Sequence, residues 1–315
     1  MSNSINIQGN RWIVSIFIIS ICFSCTNKTQ QKQDDKDIVE WTYLIDEELS
    51  EWDKYLSFKH QVGYDGSHPI DSLGNKIAPI GLNVPGYDVF TTIIENNEPI
   101  IKVSGEYYGC LATKKEYENY HFQLKFRWGD KKWTPRKNRL KDSGILYHSI
   151  GAFGAEYWRS WMLSQEFQIM EAHTGDFWNQ ATSAIDIRAY REPGLNPMAH
   201  ESQDYSSFGK GGEAGSYCLR SNNYEKKPGE WNTLDLICFK GNSLHIVNGE
   251  VVMVLKNSRY VNENGEVVPL NKGKIQLQSE AAELFFKDIK IRSIEEMKDI
   301  PIWIFDGAVD KWNPS

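Results

Sequence analysis

Hydrophobic and polar residues alternate along much of the chain with a period of two, the repeat of a strand that buries one face. In residues 121–128, Phe122, Leu124, Phe126 and Trp128 share one face, and His121, Gln123, Lys125 and Arg127 the other. Residues 234–239 form a second apolar run that ends at Lys240-Gly241-Asn242. Residues 243–247 then lead into Asn248-Gly249, a two-residue hairpin signal, and residues 251–255 return. Residues 273–279 and 283–292 read the same way. Helical spacing is confined to 46–56, where Leu49, Trp52, Tyr55 and Leu56 make a partial stripe and predict one short helix. Strands joined by hairpins, without strand–helix alternation, predict an all-β fold of two antiparallel sheets packed face to face.

No linker-like stretch divides the body, which predicts one domain over 38–298 with no internal repeat. Two segments differ in texture: 60–100, with Pro69, Pro79, Pro85 and Pro99, and 191–232, with glycines from Gly209 to Gly215. Both are expected to be long surface excursions. Ahead of the body, Arg11 precedes an apolar run over 13–23, too short for a permanent span and suited to a secretory signal. Ser24-Cys25 and the polar stretch behind it are similar to a bacterial lipoprotein signal. That implies a signal peptide at 1–24, lipidation of Cys25, a tether at 25–37 and a lipid-anchored place in the cell envelope, periplasmic or at the outer-membrane surface. Behind the body, Trp303, Phe305 and Trp312 in the 299–315 tail are expected to pack back on the domain.

Composition narrows the chemistry. With 315 residues, 40% apolar and 13% aromatic, the chain can fill a large core without disulfide staples. Its formal charge of -7 argues against a nucleic-acid binder and leaves the lipid anchor as the one expected membrane contact. Cys110, Cys218 and Cys238 are no disulfide framework; one bridge with a free thiol and three buried thiols both remain open. Phosphate loops, dinucleotide fingerprints and nucleophile elbows are absent from the sequence.

The chemistry concentrates in residues 164–173. Alternation puts Glu166, Gln168 and Met170 on one face and Phe167, Ile169 and Glu171 on the other. A bulge at Ile169-Met170 would swing Glu171 round to join Glu166 and Gln168. Two carboxylates flanking a sugar bond are what ordinary glycoside cleavage requires, and this E-x-Q-x-x-E spacing is similar to the E-x-D-x-x-E pattern of laminarinase-type glucanases. Tyr147 and His148 follow the 142–146 turn-and-strand on opposite faces, and His173 lies two residues past Glu171. Glu166, His148, Glu171 and His173 are therefore the candidate catalytic set. Glu166, His148 and His173 are also the candidate ligands for a divalent cation such as calcium. Arg127, Gln168, Tyr147, Lys114 and Trp231 are candidate substrate contacts.

These segments resemble the 3-keto-disaccharide hydrolase family. The resemblance runs over 40–295 through Trp41 to Ile45, Leu111 to Tyr117, Asp142 to Ile145, Glu166 to Ile169, Lys227 to Asn232, Val247 to Gly249, Gly273 to Gln278 and Phe286 to Ile291. It implies a concanavalin A-like jelly roll, as in lectins and glucanases, acting on a small glycoside or oligosaccharide oxidised at C3. Cleavage would proceed by removal of the C2 proton, elimination of the C1 substituent and hydration, with Glu166 or His148 as base and Glu171 or His173 as acid. A carbohydrate-binding envelope lipoprotein and an ordinary β-glucanase are the alternatives.

Overall fold

A computed structural model describes residues 40–296; the signal, Cys25, the tether and the aromatic tail residues lie outside them. The described residues are entirely β in their regular structure and form two antiparallel sheets, a concanavalin A-like jelly-roll sandwich. The nine-stranded sheet carries the site. Its spine runs Tyr217–Cys218, Phe177–Gln180, Leu163–Met170, Asp142–Ile150, Lys272–Ser279, Gly109–Thr113, Trp52–Leu56 and Gly81–Leu82. The twelve-stranded sheet is built around Tyr120–Lys132, flanked by Asn232–Phe239 and Ala282–Ser293.

The period-two pattern accounts for the core between them. Phe122, Leu124 and Phe126 meet Leu234, Leu236, Leu284 and Phe286 on one sheet, and Ile145, Phe167, Ile169, Ile275 and Leu277 on the other. All are fully buried, and each large aliphatic or aromatic side chain so placed contributes roughly 1.5–3 kcal/mol. Asn248 and Gly249 both take positive φ, as the hairpin signal requires.

Two expectations change, and for the cysteines one of the two open readings holds. Residues 46–51 form turns that run into the strand Trp52–Leu56, because Leu49 takes positive φ, which stops a helix. Trp52, Tyr55 and Leu56 are buried from a strand in place of a helix. The 191–232 excursion is not plain loop: Met198–Ala199, Tyr205–Gly209 and Tyr217–Cys218 pair with neighbouring strands. The three cysteines are separate buried thiols.

Tyr147 and His148 are both drawn into the interior. The Tyr147 hydroxyl lies 2.9 Å from Ser243 Oγ and 3.2 Å from His245 Nε2. His148 takes φ +54° where the pairing between Asp142–Ile150 and Lys272–Ser279 slips, and its ring packs edge-on against Tyr120 and Tyr147. Burial pushes the His148 imidazole down to about 4 and that of His245 to about 3. A depressed histidine pKa means that the unfolded chain takes up the proton first as pH falls, so stability is lost below the ordinary value of 6.5. Comparing thermal midpoints of the wild type and His148→Asn from pH 7 to pH 4 tests this. Asparagine tolerates the positive φ and does not titrate, and the wild type should lose up to ~3 kcal/mol more than the variant across that window. Parallel pH profiles would contradict it.

Candidate active site

The outer face of the nine-stranded sheet is polar at positions where an ordinary sheet would be wet, yet these side chains are buried. The register explains the arrangement. Glu166 stands opposite Leu146, Gln168 opposite Gly144 and Met170 opposite Asp142. On the next strand Gln276 faces Leu146, and Glu280 bridges to Asp142. On the other side Trp178 faces Glu166 and Gln180 faces Ser164. Alternation therefore brings Glu166, Gln168, Asp142, Gln278, Glu280, Trp178 and Gln180 to a single surface. They line a cleft of 770 Å³, walled on one side by Asp65, Gly66 and the 155–161 loop.

Glu166 is the centre of this surface. Gln180 Nε2 donates to its Oε2, and the Gln278 amide crowds its Oε1 across Gly144. A methyl group on Gly144 would sit 2.4 Å from Gln278 Oε1 and 2.6 Å from Glu166 Oε1, so it would push both side-chain ends aside. Burial, reinforced by the charge of Glu280, pushes the Glu166 carboxyl well up, while the Gln180 donor opposes this.

Asp142 and Glu280 flank one guanidinium. Arg136 Nη2 contacts the Asp142 carboxylate and lies 2.5 Å from Glu280 Oε1. Burial raises both carboxyls, and for Asp142 the neighbouring Glu280 charge adds to it. Two buried acids thus stand beside one fixed cation, and each favours the protonated form more than a solvated carboxyl does. Glu156, at the rim, caps its own loop by accepting from the backbone N–H groups of Trp158, Ser160 and Trp161. Burial nevertheless pushes it up to about 7.

Of the sequence candidates, the structure brings Glu166 and Gln168 into the cleft. Glu171 does not join them. The pairing is regular through Met170 and its slip lies at Leu163/Gln165, so the expected bulge is absent there. Glu171 follows the strand in a turn, accepting from the Lys141 N–H at 3.3 Å. His173 Nδ1 sits 3.0 Å from Asp176, in a cluster completed by Arg220. His148 and Tyr147 are in the core, so Glu166, His148 and His173 do not converge as cation ligands. Among the described residues no cluster of three or more metal-ligating side chains is present.

Arg127 is on the far sheet and Trp231 just precedes one of its strands; the guanidinium lies over the Trp231 ring at 4.7 Å and pairs with Glu95 at 3.0 Å. Lys114 is tied to the Ser50 carbonyl at 2.7 Å. The sequence reading missed Arg136, Glu156, Glu280, Gln278, Gln180 and Trp178 as site residues. Gln278 and Glu280 had a signal: Lys274, Gln276, Gln278 and Glu280 are polar at every second position. Arg136 and Glu156 reach the cleft from loops, where no periodicity marks them.

The chain belongs to the family of 3-keto-alpha-glucoside-1,2-lyase-like domains, whose model matches residues 40–292. It is accordingly an enzyme acting on glycosides. A search of curated proteins finds no match. Among solved structures, a Parabacteroides distasonis protein provisionally described as a glycosyl hydrolase is similar over 81% of this chain and 100% of its own, at 18% identity and TM-score 0.44. A second P. distasonis protein with that provisional description covers 67% of this chain and 86% of its own, at 18% identity and TM-score 0.37. LamAcat from Zobellia galactanivorans covers 77% and 91%, at 12% identity and TM-score 0.37.

The raised Glu166 carboxyl sets a sign for stability. A folded-state pKa above the unfolded value favours folding at low pH and is lost as pH rises through the folded value. Glu166→Gln should therefore raise the thermal midpoint at pH 8 by roughly 2–4 °C, equivalent to ~1 kcal/mol at this size, with a smaller gain at pH 5. Scanning calorimetry at both pH values reads it; a loss at pH 8 would mean the carboxylate is stabilised where it sits. Gly144→Ala, by contrast, should retain the β circular dichroism spectrum and lower activity at least about tenfold, since the methyl group displaces Glu166.

Proposed function

We propose that the protein cleaves glycosides oxidised at C3 by elimination followed by hydration. The observation that carries this is the presence in one cleft of the raised Glu166 carboxyl and of a second raised pair, Asp142 and Glu280, held by Arg136. A 3-keto group acidifies the C2 proton. Glu166 in its carboxylate form removes that proton, and burial makes it a stronger base than a solvated carboxylate. The C2–H electrons form the C1=C2 bond as the C1–O bond breaks, and the departing oxygen takes the proton held between Asp142 and Glu280. Water then adds at C1, the proton on Glu166 returns to C2 and the acid pair is reprotonated, for net hydrolysis.

Arg136 keeps the acid pair in place and offsets negative charge as the enolate develops. Gln168 and Gln278 are placed to bond sugar hydroxyls, and Trp178, Trp158 and Tyr157 supply ring faces along the walls. Gln168 weakens a nucleophilic two-carboxylate mechanism but suits this one, which needs no covalent intermediate. Glu171 lies away from Glu166, so the E-x-Q-x-x-E pattern does not assemble the pair an ordinary β-glucanase requires. The proposed address is the cell envelope, with Cys25 lipidated and 25–37 as tether.

The test is to follow product release from a 3-keto glucoside and from its unoxidised parent. Only the keto compound should be cleaved. Glu166→Gln should lower kcat about 10²–10⁴-fold, while Glu171→Gln should leave it near the wild-type value. Cleavage of the parent at a comparable rate, or full activity in Glu166→Gln, would overturn the proposal.

A further inference from the structure

Arg136 and Arg159 both line the cleft, and they differ in what surrounds them. Arg136, at the floor, is flanked by Asp142 and Glu280. Arg159, exposed at the mouth, holds the neutral Gly66 carbonyl through Nε at 3.2 Å and Nη2 at 3.1 Å. It also stands beside the Tyr64 hydroxyl, whose pKa its charge lowers against the effect of burial. Neither contact neutralises it. The carboxylates lining the cleft are engaged elsewhere: Asp65 with the Ser67 N–H, Glu156 with its own loop, Glu166 with Gln180, and Asp142 and Glu280 with Arg136.

The wall is built to hold this guanidinium in place. Arg159 takes φ +58°, a left-handed conformation that is costly for a residue with a β-carbon. Its N–H donates to the Glu156 carbonyl at 3.1 Å and closes the turn. Tyr157 donates to the Tyr64 carbonyl, and the Tyr64 hydroxyl donates to the Ser67 carbonyl at 2.8 Å. Gly66 packs so closely on the Tyr157 ring that a methyl group there would sit 2.6 Å from it. Two loops thus clasp Arg159, and the Gly66 carbonyl takes only two of the five N–H donors of a guanidinium. The others suit the paired, coplanar oxygens of a carboxylate, and one cation without a counter-ion matches one negative charge. Deeper in the cleft, Gln168 Oε1 and Gln278 Oε1 and Nε2 are buried without partners among the described residues. These neutral amide atoms suit hydroxyls, so charge recognition belongs to the rim.

We infer that Arg159 is a specificity residue, binding a carboxylate on the part of the glycoside that lies outside the sugar being cleaved. For a terminal sugar that part is the departing group. This deepens the glycoside reading above, naming a charged feature of the substrate, and rests on it.

The experiment compares glucosyl gluconate with glucosyl gluconamide, which differ only in carboxylate against amide. Calorimetry on the full chain measures binding of the unoxidised compounds, and turnover of their 3-keto forms is followed beside it. The carboxylate should bind about three- to tenfold tighter, less so at high salt. Arg159→Gln should bring that ratio close to one, and Arg159→Lys should keep its direction. Equal affinities in the wild type, tighter binding of the amide, no binding of either, or an unchanged ratio in Arg159→Gln would overturn the inference. Cleavage of the 3-keto compounds in any of those cases would leave the elimination reading intact. A carboxylate preference that Arg159→Gln abolishes, with neither 3-keto form cleaved, would support the role of Arg159 and overturn elimination.

Discussion

Arg136 lies between Asp142 and Glu280 beneath the cleft, and the polar surface around it depends on that contact. Two carboxylates facing each other across adjacent strands repel when both are charged, and their burial removes the water that would screen them. The guanidinium offsets part of that repulsion and holds both carboxyls in place. Without it both acids would be driven neutral or the strand ends apart, and Glu166, which feels the Glu280 charge, would shift with them. The stability of this corner and its capacity to move a proton thus have one origin. A corner that stores repulsion in this way gives up some folding free energy.

Aromatic packing confines that chemistry to part of the sheet. Over the strands Gly109–Thr113 and Trp52–Leu56 the outer face is filled by Trp161, Tyr108 and Tyr55, with Phe153 stacked on Tyr55 at 4.2 Å and Trp158 against Tyr108. Trp161 Nε1 donates to the Gly109 carbonyl at 2.9 Å, which locks the loop onto the sheet. Glu156 gathers the loop's own N–H groups, so its backbone can be buried at the cleft wall. The excursion completes this wall where the Tyr157 hydroxyl donates to the Tyr64 carbonyl at 2.6 Å. The same face of one sheet therefore carries a dry aromatic cluster on one half and a polar cleft on the other, and Leu146 marks the boundary by belonging to the former.

How much of this was legible follows from what periodicity encodes. Alternation states which side chains share a face, so the strand pattern gave the sheets, the core and the placement of Glu166 and Gln168 together. It does not state which strands are neighbours. Asp142, Gln278 and Glu280 are far apart in sequence from Glu166 or lie on other strands, and only the order of strands in the sheet joins them. The histidines show a different limit. His148 stood on a strand that does reach the site, but a slip in pairing and a positive φ turned it to the core, and no feature of its neighbours in sequence foretells that. For Glu171, the bulge needed to bring it round is absent, and the turn after Met170 carries it to Lys141. The partial helical stripe at 46–56 failed for a similar reason, since spacing alone does not report the left-handed residue at Leu49.

The substitution of glutamine for aspartate in the middle of the E-x-Q-x-x-E stretch is best understood through those neighbouring strands. In a two-carboxylate hydrolase the middle acid tunes a partner on its own strand. Here the amide that holds Glu166 is Gln180, from the strand on one side, and the second amide against it is Gln278, from beyond Gly144 on the other. The nearest other acids, Asp142 and Glu280, face each other one residue pair further along the sheet. A charge at position 168 would add a further anion to a surface with the Arg136 guanidinium at its floor, and would push the Glu166 carboxyl further up. Neutral Gln168 leaves Glu166 able to exchange a proton while keeping an acceptor free for a hydroxyl. What reads in one strand as a weakened glucanase motif is, across three strands, a surface in which Glu166 is held by amides from both sides and Asp142 and Glu280 are held by Arg136.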